Sequence, residues 1–422
     1  MDENWEIFVG DSFEKKSYNE YAQQLLQNNM LPPFMGEAFF LHNYLLCGKN
    51  ILNYLKERVC MPSIVSVGEA IPKHILKQDE VTVFAKELFS ESFRDIGRLL
   101  TVFQNGQIEK RHFVKGMDWF RTDRSFEEKN DAYIEGAVEL GSEAVENCLR
   151  SAQFLKKEIS VNEIDAIFCI SSSGLATPSI EARIMNKLPF SPHAKRIPIW
   201  GLGCAGGASG LSCAYEYCLA FPNAKVLVLT IELCSLTFQR NDRSKSNLIG
   251  TSLFADGVAC ALVIGDDVDR TAFQKLEYSP SIIATQSTLL PDSLDVMGWE
   301  VKDEGLYVVF SKDIPTIVEG WLRPNVTGFL SEQKMKMEDI QHFIAHPGGK
   351  KVLDAYVQSL GIESEMTNKS LEVLKEYGNM SSSTILYVLK RFMEDGRAGD
   401  YGLATALGPG FSSELLLMKW EA

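Results

Sequence analysis

The sequence predicts a duplicated α/β fold preceded by a helical appendage, and three observations carry that prediction. Short apolar runs alternate with helical periods from Met61 onward, two stretches of the chain repeat one another, and each repeat has a run of small residues where a helix should begin. At 422 residues, with 45% hydrophobic and 23% charged, the chain is long enough for two core-sized units.

Residues 1–60 differ from the rest. Within Ala38–Val59, Phe40, Tyr44, Leu45, Ile51, Leu52 and Leu55 recur at rough helical spacing, with Gly48 as a break. The segment reads as a helical appendage packing on the main body; a membrane-surface or partner-binding helix is the alternative. At Met61 the text changes to "MPSIVSVGEAIP", a strand that opens a new domain. Further strands are expected at Asp165–Ser171, Lys225–Ile231, Val258–Gly265, His342–His346, Tyr401–Leu407 and Glu414–Trp420. Several are apolar on both faces, as buried central strands are.

The repeat relates "EIDAIFCISSSG" to "DIQHFIAHPGG", and aligning Ile164 with Ile340 puts Ile170 opposite His346. Further on, "GCAGGAS" answers "GNMSSST", so Cys204 falls opposite Asn379. Each copy continues as a helix, through Leu211, Ala214, Tyr215 and Cys218 in one and Ile385, Val388, Leu389 and Phe392 in the other. The division is therefore 1–60, then 61–270 with the cysteine, then 271–422 with the histidine and asparagine.

Composition narrows the function. A formal charge of −14 argues against a general nucleic-acid binder, which needs a basic face for phosphates. Nine cysteines without CxxC spacing suggest neither a disulfide framework nor a metal site, and read as free thiols in a reducing cytoplasm. No run approaches the ~18–20 apolar residues of a membrane span, and "MDENWEIF" is not a secretory signal.

Cys204 lies in "WGLGCAGGASG", where glycines flank a cysteine at the start of a helix. The first-turn N–H groups and the macrodipole favour an anion there, and a neighbouring imidazolium brings a thiol pKa from ~8.5 to about 3.5–7.5. Tight helix packing is the simpler explanation of small residues, but packing alone does not call for so much bare backbone. His346 ends an apolar strand before "PGG", where a satisfied polar residue would also be ordinary. Asn379 reads alone as an N-cap. Together they form a Cys/His/Asn set at related places in a duplication.

"GCAGG", "IAHPGG", "EYGNMSSS" and "GPGFSSELLLMKW" resemble the signature segments of type III polyketide synthases, the chalcone synthase-like family of the thiolase fold. The resemblance spans Met61–Ala422, and "DVMGWEVKDEGLYVVFSKDIP" resembles bacterial members. It implies a duplicated five-layered αβαβα architecture and an acyltransferase that uses acyl-CoA and malonyl-CoA as substrates, with no cofactor. Cys204 would carry the starter and growing chain as a thioester. His346 would hold the thiolate as an ion pair and, with Asn379, donate hydrogen bonds to the thioester oxygen of malonyl-CoA, stabilising the enolate left by decarboxylation.

The resemblance also assigns the surroundings. Phe254 matches the gatekeeping phenylalanine between CoA tunnel and cavity; Thr237 and Ser381 match cavity-lining positions; Ser172 and Ser173 fall where members shape cyclisation. Thr177 matches the residue that reaches into the neighbouring subunit, which implies a homodimer. Only Arg98 keeps a basic residue where plant members present three to CoA phosphates, with Thr101 and Asn105 in place of the others; Lys110, Arg111, Lys350 and Lys351 are the substitutes. Val308 stands where plant enzymes carry a second pocket phenylalanine, which favours a larger, aliphatic or fatty acyl starter and a pyrone or alkylresorcinol product.

Two rivals stand beside this reading. A β-ketoacyl-acyl-carrier-protein synthase III would share fold and triad but condense once with a carrier-bound extender. A non-catalytic thiolase-fold scaffold would have little need of all three residues. Asp256 reads as a structural carboxylate, and His74, His112, His193 and His342 find no partner in the sequence.

Overall fold

The computed structural model describes residues 61–311 and 313–422, so the helix expected within Ala38–Val59 lies outside the described residues. The first half supplies β1 (Ser63–Ala70), a small hairpin of β2 (His74–Lys77) and β3 (Lys110–Phe113), then β4 (Ala166–Ile170), β5 (Lys195–Ile199), β6 (Lys225–Leu233) and β7 (Asp256–Ile264). The second supplies β8 (Ser279–Leu289), a hairpin of β9 (Met297–Lys302) and β10 (Gly305–Phe310), then β11 (His342–Ala345), β12 (Tyr401–Gly408) and β13 (Ser412–Glu421).

Nine of these strands join in the order β11-β12-β13-β8-β1-β7-β6-β4-β5. The order repeats itself: β4-β6-β7-β1 in one half corresponds to β11-β12-β13-β8 in the other. The pairing sense repeats too, with β4–β6 and β11–β12 parallel and the remaining pairs of each set antiparallel. The halves meet where Ser63 faces Ser281, their hydroxyls 2.7 Å apart.

Helices complete the layers. The helix Gly206–Ala220 packs on β4 and β6 on one side and on β8, β12 and β13 on the other, while Thr384–Phe392 packs on β11 and on β1 and β7. These two form a central layer, and a helix enclosed on both sides must be apolar all round. Ile385, Leu386, Tyr387, Val388 and Leu389 are accordingly all buried. Outside, Phe126–Leu149 covers β1, β6 and β7, entered through a capping box of Ser125 and Glu128. Ile314–Glu332 packs with Lys350–Leu360 on the second half. The result is the five-layered, thiolase-like arrangement that the sequence predicts. No helix among the described residues is long and apolar enough to cross a membrane.

Candidate active site

Cys204 sits in a tight turn, Gly203–Ala205, that runs directly into the helix Gly206–Ala220. Gly203 adopts φ +45, and a Cβ there would lie 2.8 Å from Pro409 Cδ, so turn and neighbour both require glycine. Gly206, Gly207 and Gly210 serve packing. A Cβ at Gly206 or Gly210 would press on Ile170 at 2.6 Å, and one at Gly207 would lie 2.2 Å from the Ser382 carbonyl oxygen. The bare backbone of "GCAGGASG" thus lets two central helices and a strand close together. This corrects the argument that packing does not call for so many glycines.

The repeat register also needs correction. The turn Gly203–Ala205 leads into Gly206–Ala220, and the turn Ser381–Ser383 leads into Thr384–Phe392. The counterpart of Cys204 is therefore Ser382, and Asn379 reaches the site from just before its turn.

Three segments bring the triad together. The His346 N–H donates to the Thr405 carbonyl at 2.8 Å, fixing the residue just beyond β11. Asn379 is clamped by its backbone: its N–H donates to Leu253 O, and Ala255 N–H donates to its carbonyl, both at 2.9 Å. Its Oδ1 accepts from Ser381 N–H at 2.8 Å and faces the Cys204 thiol at 3.9 Å, while Nδ2 donates to the Gly348 carbonyl at 3.1 Å. Turning the amide over would set donor against donor and acceptor against acceptor, so this orientation is the one the network selects. The second Nδ2 hydrogen takes no acceptor among the described residues. The ring nitrogens of His346 have no hydrogen-bond partner among the described residues.

Cys204, His346 and Asn379 line one cavity, whose empty space, open mouth included, is about 1210 Å³. Lys350 and Lys351 line it too, with Lys350 paired to Asp354. Asn105, where plant members carry a basic residue, is also on its wall.

Burial dominates the electrostatics. It pushes the Cys204 thiol up to about 12, aided by the charge of Glu232 and opposed by hydrogen bonding with the Ser381 and Asn379 side chains. It pulls the His346 imidazole down to about 3. Both shifts favour a neutral thiol beside a neutral imidazole. Both directions run opposite to the lowered thiol pKa expected from the sequence.

A second, mostly apolar cavity, whose empty space with its open mouth included is about 540 Å³, is lined by Phe254, Thr237 and Val308. Phe254 lies beside Asn379 through a backbone bridge and packs on Phe310, which lines the catalytic cavity. That places its ring between the two spaces. Thr237 donates its hydroxyl to Cys234 O.

Arg111 corrects an expectation. It is 1% exposed, donates from Nη1 to the Thr251 and Phe254 carbonyls at 2.7 and 2.8 Å, and lies over the Phe113 ring. Such a side chain braces the Phe254 backbone from within and is not presented to a CoA phosphate. Arg98 and Lys110 are exposed, and neither lines the catalytic cavity.

Ser172 and Ser173 line neither cavity and support the wall behind Cys204. Ser172 Oγ accepts from Gly203 N–H at 3.1 Å, and Ser173 Oγ accepts from Leu233 N–H at 2.8 Å. Ser381 is buried against Asn379. Thr177 is exposed, in the loop beyond β4. Asp256 is structural: it accepts from Val114 N–H and from the Ser235 backbone and hydroxyl.

Sequence reasoning passed over Glu232. It is fully buried, accepts from Ser172 N–H at 3.1 Å and from the Ser382 hydroxyl at 2.6 Å, and burial raises its carboxyl to about 7. The available signal was an acidic residue continuing the apolar run "KVLVLTI".

A duplicated thiolase-like fold with cysteine, histidine and asparagine converging on one cavity defines an acyl-transferring condensing enzyme. The family models "Chalcone and stilbene synthases, N-terminal domain" and "C-terminal domain" match residues 56–268 and 281–420. The "Putative chalcone synthase" of Bacillus subtilis (strain 168) is 53% identical over 86% of this chain and 99% of its own length. The 1,3,6,8-tetrahydroxynaphthalene synthase of Streptomyces peucetius subsp. caesius is 32% identical over 85% of this chain and 93% of its own. The crystal structure of 1,3,6,8-tetrahydroxynaphthalene synthase from Streptomyces coelicolor A3(2), a bacterial type III polyketide synthase, superposes with a TM-score of 0.77 at 26% identity, covering 85% of this chain and 99% of that one. The chain belongs to the chalcone and stilbene synthase family, the type III polyketide synthases.

Proposed function

We propose that this polyketide synthase loads an aliphatic, fatty acyl starter on Cys204 and extends it with malonyl-CoA, closing the product to a pyrone or alkylresorcinol. The observation that carries the reading is the apolar cavity behind Phe254, adjoining the cavity of Cys204, His346 and Asn379. An alkyl tail matches a wall built from Leu76, Val81, Phe84, Phe113 and Val308.

In this mechanism His346, neutral at rest, takes the thiol proton as Cys204 sulfur attacks the acyl-CoA carbonyl. The C–S bond to CoA breaks, and the proton passes to the departing CoA sulfur. Malonyl-CoA then binds with its thioester oxygen toward His346 and the spare Nδ2 hydrogen of Asn379. Loss of CO2 leaves the C–C electron pair as an enolate, whose oxygen those two donors stabilise. The enolate carbon attacks the Cys204 thioester carbonyl, the C–S bond breaks, and the departing thiolate takes a proton supplied by water. The new β-keto chain, on CoA, returns to Cys204 for the next round.

Lys350 and Lys351 are the cations best placed for CoA, since they alone of the expected set line this cavity. We assign the working form as a cytoplasmic homodimer. Support comes from β5, whose outer edge is unpaired among the described strands, and from Leu175 and Trp200, 41% and 50% exposed on either side of Thr177 in sequence. Light scattering on the purified protein checks the dimer; a monomer at micromolar concentration refutes it.

Incubating purified protein with malonyl-CoA and acyl-CoA starters of graded length, with product mass spectrometry, tests the function. Pyrones or resorcinols from fatty acyl starters are expected. Preference for cinnamoyl-type starters would overturn the aliphatic assignment, and dependence on a carrier-bound extender would favour the single-condensation alternative.

A further inference from the structure

The hairpin β9–β10 is paired only with itself among the described strands, and it stands between the two cavities. Val308 lines the apolar cavity, while Met297 and Phe310 line the catalytic one. The gate ring of Phe254 packs on Trp299 and Phe310, with centroids 5.8 and 5.6 Å apart. A lone two-stranded hairpin is marginally stable in water, so its position depends on what holds it.

Two buried polar side chains hold its tip. Lys129, on the helix Phe126–Leu149, donates from Nζ to Gln239 Oε1 at 2.7 Å and to the Glu304 carbonyl at 3.3 Å. Gln239 Nε2 donates in turn to the Leu306 carbonyl at 3.1 Å. The Gln239 carbonyl is fixed by Asn247 Nδ2 at 2.8 Å, on the helix Lys245–Leu253 that ends at Phe254. Gly305, between the two pinned carbonyls, adopts φ +130, and a Cβ there would lie 2.8 Å from Gln239 Nε2. Lys129 is a largely buried ammonium with an amide and a carbonyl as its direct partners and the charges of Asp123, Glu304 and Glu128 nearby. Such a group is costly to bury, and its effect is to tie one long helix, the Gln239 loop and the hairpin tip together.

We propose that Lys129 and Gln239 are positioning residues for starter choice. By pinning the tip of the hairpin they fix how far Val308 and Phe310 stand from Phe254, and so set the passage between the cavities and the depth open to the acyl chain. The inference rests on the proposed acyl role of the apolar cavity. It makes chain-length selection depend on residues outside that cavity's lining.

Lys129→Met keeps the length of the side chain and removes the Nζ donors, whereas Gln239→Glu keeps the acceptor for Lys129 and removes the donor to Leu306. Both should speed amide exchange across Met297–Phe310 while leaving β6 and β7 protected. Both should also change the kcat/KM ratio between the longest and shortest accepted acyl-CoA by about tenfold or more, with the change in starter KM. Lys129→Arg should restore most of the wild-type ratio. Unchanged exchange, or a uniform loss across all chain lengths, would overturn the proposal. A wild-type protein that extends no acyl-CoA would sink the functional reading and this one together; wild-type turnover with an unchanged ratio in both variants sinks only this one.

Discussion

Gly207→Ala isolates the packing that sets the geometry of the site. The added Cβ would lie 2.2 Å from the Ser382 carbonyl oxygen and 2.7 Å from Ile385 Cγ2, where ordinary contact begins at 3.4 Å. The backbone atom cannot rotate away, so the central helices must part by about 1 Å. Ser382 belongs to the turn whose Ser381 N–H holds Asn379 Oδ1, so the displacement reaches the triad directly. Overpacking costs about 1–3 kcal/mol, and a clash against backbone belongs at the upper end, about 3 kcal/mol. A misplacement of about 1 Å costs on the order of a hundredfold in rate. The control is Gly320→Ala, inside the helix Ile314–Glu332 with no atom within 4 Å of the new Cβ, which should stabilise by about 0.5–1 kcal/mol. Urea unfolding and malonyl-CoA decarboxylation read both effects. If Gly207→Ala unfolds at the wild-type midpoint and decarboxylates at the wild-type rate, the account of the glycine run is wrong.

Three further outcomes are expected. With burial holding the Cys204 thiol near 12 instead of 9.0, iodoacetamide should label it at pH 7 about a thousandfold more slowly than an unshifted thiol. Peptide mass spectrometry checks this, and faster labelling than free cysteine would restore the ion pair. Glu232 has a folded value of about 7 against 4.5, so between those pH values the folded state holds a proton that the unfolded state has lost, and stability falls as pH rises through the window. Glu232→Gln should therefore match wild type near pH 4 and exceed it above pH 7 by at most about 3 kcal/mol; equal unfolding midpoints at pH 8 would contradict this. Val308→Phe should cut kcat/KM for the longest accepted starter by about tenfold or more while sparing short ones, and an equal loss at every chain length would refute the role given to Val308.

What the sequence made legible follows from which forces are local. Strand runs such as "KVLVLTI" and the repeat of Ile164 in Ile340 announce themselves because central strands are apolar on both faces, and β6, β4 and β11 formed where expected. The triad was legible because chemistry constrains residue type at those points. Spacing between the halves was less so: a shift between strand and turn moved the true counterpart of Cys204 from Asn379 to Ser382, and only the helix starts fix that register. Arg111 shows a different limit. Beside exposed Lys110 it looked like another surface cation, yet adjacent residues on a strand face opposite ways, and β3 turns Lys110 to solvent and Arg111 inward. Glu232 and Lys129 were harder still, since a charge in the sequence carries no mark of burial; what determines their protonation and their bonds is which distant carbonyls, hydroxyls and amides close around them. The contacts of Lys129 that the sequence hides are the ones that pin the hairpin tip, and on the role proposed for that hairpin, starter choice should vary within the family through positions outside the motifs that identify it.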